Sequence, residues 1–427
     1  MPAQASRSKI TRERTGTDLR YLQALIAASL IAFFAFALII DRAAGVLYGA
    51  LILTSLAALL SRSKPENLSF TELLRCYWPL ILALAAPLFA VLANEMSRGH
   101  FSGRNMDAPL RLALFPLALW AVWLLPIARL RQLQWAFVAG AVLSAIKIYL
   151  LSHNGQDRYV TDFIPITIFI EMGMLLGVYA LLSIAWNARG NTLSIALKLV
   201  AAIAILYGSY ISQSRGAWVT IPLFAAIALV ACNSMKTKTK LAIAAALVVT
   251  IALAGGNATK LRERVEVARN DIQQYLQKSN VDTSIGIRFQ LWRGSMVIFS
   301  EHPIFGVGVD RYRDALKDLA ARKIISPTAS TYAHSHNEML FAMARLGLVG
   351  LAAMLALLLV PATYFARDLR HADGQVRASA CMGLSLCTGL LLLGFTDVVF
   401  LWWEVFPFYS LSIASFIAFA AKRKAKA

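Results

Sequence analysis

Apolar residues in this chain gather into long uninterrupted runs, separated by short polar breaks and by one polar block of some eighty residues. A bilayer span needs about 20 predominantly apolar residues. On that measure the pattern predicts spans at 21–40, 43–61, 77–94, 108–127, 135–151, 164–186, 195–213, 217–232, 241–256, 339–365, 378–396 and 406–420. The polar block falls between the ninth and tenth. Its periodicity is helical: Ala258–Lys278 is charged and unbroken by Pro or Gly, and Ser284–Ser300 puts Arg288, Leu291, Trp292, Ser295 and Met296 near one face. The segment His302-Pro303-Ile304-Phe305-Gly306-Val307-Gly308 reads as a turn-rich break, and Asp310 as the N-cap of a helix to about Lys323.

The expected fold class is therefore all-α: a polytopic membrane protein with about 12 transmembrane helices and a helical insert. Three units follow: spans 1–9 in residues 1–256, the insert in 257–338, and spans 10–12 in 339–427. Composition agrees. Only 15% of residues are charged, against about 25% in a soluble domain.

The formal charge of +19 would suggest nucleic acid in a soluble protein. Here the cations lie in short loops and tails, where they set topology. With both ends cytoplasmic, the short outer loops carry only Arg42, Arg98, Arg104, Arg158 and Arg215, with Arg111 at the border, and the inner segments carry the basic clusters. The insert is then outward-facing. Polar, basic residues precede the first apolar run, which reads as an uncleaved anchor. Cys76, Cys232, Cys381 and Cys387 sit in or beside apolar segments without metal-ligand spacing.

Three residues stand out chemically. Ser335-His336-Asn337-Glu338 matches a capping box, which would put His336 at the first helical position where the chain re-enters the membrane. A neutral imidazole there suits general-base work on a hydroxyl; a locally bonded helix-start histidine is the plain alternative. His334 is the weaker candidate beside it. Arg215, in Gln213-Ser214-Arg215-Gly216, sits between two spans with almost no loop, where a charge calls for a partner or a function. Snorkelling or a structural ion pair would also account for it, and Gly216 would allow a close approach. Arg288 is either a solvated charge or a ligand contact. The outer loops hold no Asp-x-Asp pair or acidic cluster to hold a divalent ion, so a diphosphate would have to be met by arginine.

Other charges lie inside spans. Lys147 and Glu171, at similar depth on adjacent spans, are expected to pair. Arg345 either snorkels outward or adds charge near His336. Asp397 and Glu404 mark the outer end of the last hairpin, with Trp402 and Trp403 as interfacial belt.

Taken in order, Ser214-Arg215-Gly216, Gly286-Ile287-Arg288 with Trp292, the turn at 302–308, and His334-Ser335-His336-Asn337 with Leu340 resemble the O-antigen ligase family, within the wider bacterial surface-polymer ligases and polymerases. The resemblance implies a GT-C-type glycosyltransferase of the bacterial inner membrane, inverting, needing neither metal nor cofactor, with its active site in a periplasmic loop. The donor would be an undecaprenyl-diphosphate-linked polysaccharide and the acceptor lipid A-core oligosaccharide, with membrane lipids around the chain and no nucleic acid. His336 would be the base and Arg215 and Arg288 the diphosphate ligands, supported by Asn337, His334, Trp292 and Gly216. An O-antigen polymerase is the nearest rival. A lipid-glycan transporter is a third reading, which leaves the outer lobe unexplained and lacks paired broken spans.

Overall fold

The computed structural model describes residues 2–61, 69–152, 163–187, 191–212, 216–231 and 258–426. Among these, every regular element is a helix. The first half holds α1 (Pro2–Phe36), α2 (Ala43–Leu60), α3 (Phe70–Arg98), α4 (Gly103–Ala113), α5 (Phe115–Leu124), α6 (Ile127–Arg131), α7 (Leu133–Leu151), α8 (Ile166–Leu182), α9 (Thr192–Ile211) and α10 (Thr220–Ala231). The insert supplies α11 (Ala258–Leu276), α12 (Ser284–Glu301) and α13 (Tyr312–Ala321), and the chain closes with α14 (Glu338–Asp368), α15 (Gly374–Gly394) and α16 (Val405–Lys424).

Ten helical stretches among the described residues are long and apolar enough to cross a bilayer, α4–α5 and α6–α7 each counting as one. The protein is a multi-pass membrane protein. The eighth predicted span is shorter than drawn: α10 has 12 residues, headed by a 3-10 turn at Gly216–Val219. The ninth, 241–256, lies outside the described residues.

The last span, α16, is the central post, buried from Val405 to Ala420. Aromatic side chains lock its neighbours to it: Trp186 stacks on Phe419 at 4.1 Å and Tyr179 meets Phe416 edge-on at 4.9 Å. Without a hydrophobic drive between helices in lipid, close approach has to come from small residues. Gly140 of α7 is one: a Cβ there would sit 2.2 Å from the Phe34 carbonyl oxygen of α1.

Two expectations about charges fail. Lys147 does not reach Glu171; its ammonium donates to the Ile39 carbonyl at 2.8 Å and lies over the Phe163 ring, because the end of α1 frays into turns that offer free carbonyls. Glu171 instead accepts from Thr220 Oγ1 at 3.1 Å. Asp310 is not an N-cap. It pairs with Arg98 of α3 at 2.9 Å, and the helix begins at Tyr312 with Arg311 at the cap.

Helix α14 is broken inside its run, at Gly347, with φ 65° and ψ −155°. In lipid, each backbone group freed by a break must find a partner. The 302–308 turn supplies them. Leu348 N–H donates to the Pro303 carbonyl (2.8 Å) and Val349 N–H to Ile304, while Val307 and Gly308 N–H donate back to Ala344 and Arg345. The fit is backbone against backbone: a Cβ on Gly306 would lie 2.3 Å from the main chain at Arg345, and one on Gly347 2.3 Å from the main chain at Ile304. Asn94 of α3 clamps the turn from outside by donating to the Phe305 carbonyl at 2.6 Å. The insert is thus keyed into the membrane bundle immediately below the histidine segment.

Candidate functional site

The predicted capping box does not form. The N-cap of α14 is Asn337, whose Oδ1 accepts from Leu340 N–H at 3.0 Å, and the helix starts one residue later at Glu338. Ser335 Oγ bonds within its own turn, donating to the Asn337 carbonyl at 2.7 Å. His336 therefore stands before the helix, in the left-handed region at φ 52°, a conformation histidine enters more readily than most residues. Ser and Asn cap equally well; the left-handed turn at His336 keeps the chain out of the helix until Asn337, and the cap falls there.

That geometry turns the imidazole toward the 395–400 loop between α15 and α16. His336 Nδ1 lies 3.6 Å from Asp397 Oδ1, with the two side chains 23% and 16% exposed. This is ion-pair range, longer than a hydrogen bond. Asp397 is held from its other sides: Oδ2 accepts from Thr167 Oγ1 of α8 at 2.7 Å, and Oδ1 accepts from Val398 N–H at 2.8 Å. Burial pushes its carboxyl up, but the approach of His336 and the donors Thr167 and Val398 outweigh that and hold it below the usual carboxylate range.

The two loops are stitched together on both sides of this contact. Asn337 Nδ2 donates to the Phe395 carbonyl at 3.3 Å. Glu338, buried at the first helical position, accepts from Val399 N–H (2.6 Å) and Phe400 N–H (2.9 Å). His334 packs edge-on against His336 with ring centroids 4.4 Å apart, and its Nδ1 accepts from His336 N–H at 3.3 Å. Burial first, then the neighbouring His336 and Arg313, push His334 down to about 4, against an opposing pull from Asp397. It is neutral at neutral pH and serves as packing and acceptor. His334, His336 and Asp397 also bring one potential ligand atom each within 4.8 Å of the others, a donor set that a divalent ion such as zinc could use.

Sequence reasoning named Asp397 only as a hairpin end and passed over Thr167. The available signal is a lone acid at the turn of an apolar hairpin, where an unpaired charge is costly.

The arginines behave differently. Arg215 and Ser214 lie outside the described residues; Gly216 opens the 3-10 turn before α10. Arg288 is exposed on α12 and has no hydrogen bond or ion pair among the described residues. Its helix is firmly seated: Ile287, Leu291 and Ile298 pack with Phe341 and Ala344 of α14 and with Leu316 and Leu319 of α13. Gln290 ties the helix to two loops, donating to the Val281 carbonyl (2.7 Å) and accepting from Ser326 N–H (2.7 Å). Trp292, one turn from Arg288, meets Phe289 edge-on and keeps a buried indole N–H without a partner. The structure brings His334, His336 and Asn337 together with Asp397; Arg288 and Trp292 share a separate helix face.

Residues 200–355 match the family described as O-antigen ligase, and the resemblance drawn from the motifs is borne out. The matched segment contains Arg215, Arg288 and His336 but ends before Asp397. A Haemophilus influenzae protein described as uncharacterized is 26% identical over 359 residues, covering 82% of this chain and 87% of its own length. An Escherichia coli K12 O-antigen ligase is 22% identical over 275 residues, 64% of this chain and 62% of its own. These matches support a membrane transferase of the ligase or polymerase type.

Proposed function

From an O-antigen ligase-type chain with this site, we propose an inverting glycosyltransferase that moves polysaccharide from undecaprenyl diphosphate to a hydroxyl of lipid A-core oligosaccharide. It would work at the periplasmic face of the inner membrane, without metal. The observation that supports this reading is the contact between His336 and Asp397. With Nδ1 turned to the carboxylate, Nε2 is left to take a proton. His334, neutral and packed behind, leaves that task to one ring.

The step balances simply. The acceptor oxygen forms a bond to the anomeric carbon as its proton passes to His336 Nε2. The bond from that carbon to the diphosphate breaks on the opposite face, and undecaprenyl diphosphate leaves with the electron pair. Arg288, exposed and without a partner among the described residues, and Arg215 hold that departing charge, a preorganised electrostatic role. Asp397 stabilises the imidazolium, and Thr167 and Val398 N–H hold Asp397 in place.

The test is transfer by the purified full-length protein with defined donor and acceptor. His336→Ala should lose about 10²–10⁴-fold in turnover, and chelator should leave the wild-type rate unchanged. Undiminished transfer by His336→Ala eliminates the base, and loss on chelation turns the histidine–aspartate cluster into a metal site. If only a second polyprenyl-linked chain is accepted, the enzyme is a polymerase.

A further inference from the structure

A cavity of about 680 Å³ opens on the α3–α4 side of the histidine segment. Its walls come from α3, α4, the start of α13, α14, the 398–402 loop and α16. Ala333 and Glu338, which flank the histidine segment in the chain, line it. Two halves of its lining differ sharply.

The outer half is cationic. Arg104, Arg313 and Arg345 line it together with Asp310 and Glu338. Both acids are already engaged: Asp310 by Arg98 at 2.9 Å, and Glu338 by the Val399 and Phe400 amides. Arg345 is anchored through Nε to the Val309 carbonyl at 3.1 Å, with its guanidinium over the Phe341 ring. Arg104 and Arg313 are exposed and make no ion pair among the described residues. Arg104 and Arg313 thus face the space with no acidic partner among the described residues, and Arg345 stands at its wall within electrostatic reach of Glu338 and Asp310. The inner half is hydrocarbon: Pro87, Val91, Met354, Leu357 and Phe406.

A cationic mouth over an apolar floor selects an anionic amphiphile. Planar guanidinium groups bind phosphate in bidentate fashion, and the floor accepts chain that would otherwise stay in lipid. We propose that this cavity binds the phosphate-bearing lipid acceptor of the transfer, its head among Arg104, Arg313 and Arg345 and part of its hydrocarbon against Val91, Met354 and Leu357. This rests on the transferase reading and adds a direction of entry to it. The acceptor would come from the α3–α4 side, next to His336, while Arg288 stands on the separate helix α12.

The test is binding to the full-length protein in detergent, read by native mass spectrometry and independent of turnover. The probes are phosphorylated lipid A, its enzymatically dephosphorylated form, phosphatidylglycerol and inorganic phosphate. Phosphorylated lipid A should bind at least about tenfold tighter than the dephosphorylated form, the scale of one charge-assisted contact, and phosphate alone should not displace it. Arg104→Gln and Arg313→Gln should each weaken it several-fold and raise the acceptor KM while sparing the donor KM. Met354→Trp should block the floor with a similar loss.

Equal binding of the dephosphorylated lipid overturns the cationic mouth. Displacement by phosphate reduces the cavity to an anion site, and equal retention of phosphatidylglycerol makes it a structural-lipid pocket; both overturn an acceptor site. Transfer by the wild-type chain with binding indifferent to all three substitutions sinks the cavity and keeps the reaction. Binding as expected without transfer keeps the cavity and sinks the reaction.

Discussion

The histidine segment and the Arg288 helix lie in the same insert, yet they are built on opposite plans. Around His336 the three polar neighbours that fix the site are committed: Asn337 caps α14 and reaches Phe395, Glu338 takes two amides, and Asp397 is held by Thr167 and Val398. On α12 the scaffold residues are equally committed, with Gln290 bridging two loops, but Arg288 itself is exposed and unpaired among the described residues. The difference fits the tasks proposed. Proton transfer needs a ring fixed to within a fraction of an ångström, whereas a permanently charged guanidinium needs a rigid base and an open hand.

That contrast can be broken experimentally, beginning with its strongest element. Asp397→Asn should keep the fold and lower turnover by about 10²-fold, since the imidazolium loses its counter-charge and the ring its orientation. Turnover within a few-fold of wild type would show that the contact is incidental. Next is the turn beneath the segment. Gly306→Ala puts a side chain at φ +71° and 2.3 Å from the α14 backbone. It should destabilise by about 2 kcal/mol or more, seen as a lowered melting temperature in detergent; an unchanged transition would mean that α14 and the turn are not keyed together.

Arg288→Lys probes the other side. A point charge in place of a planar fork should raise the donor KM by roughly tenfold with no change in melting temperature. Full activity with Lys would make Arg288 a plain surface charge.

The last effect concerns His334 and pH. Its folded value of about 4 lies below the ordinary 6.5, so the unfolded chain binds the extra proton in that window. Stability should fall as pH drops from about 6.5 toward 4. His334→Gln should flatten that slope while leaving the melting temperature near pH 8 close to wild type. An unaltered slope would show that His334 titrates alike in both states.

Hydropathy alone yielded the ten spans found among the described residues, because a bilayer enforces long apolar runs whatever their partners. The helices at 258–278 and 284–300 were equally readable, since α11 and α12 end within a residue or two of them. What stayed hidden depends on which of several competent groups wins a contest. Ser335 and Asn337 can both cap a helix, and only the left-handed turn at His336 decides for Asn337. Lys147 could have met Glu171, but bare carbonyls at the end of α1 were nearer. The pairing of His336 with Asp397 joins residues about sixty apart in sequence, and Thr167 comes from farther still. No local pattern encodes such a meeting. The motif at 302–308 was visible as a turn, but its purpose emerged only against the flaw in α14 that it repairs.

That repair has a practical consequence for anyone wishing to dissect the molecule. Excising the insert, or expressing it alone, would strip four amide–carbonyl pairings from a fracture in the tenth predicted span and leave bare peptide groups facing oil. Lobe and bundle are therefore one cooperative unit, and a shortened chain should be lost to degradation before any question of catalysis arises.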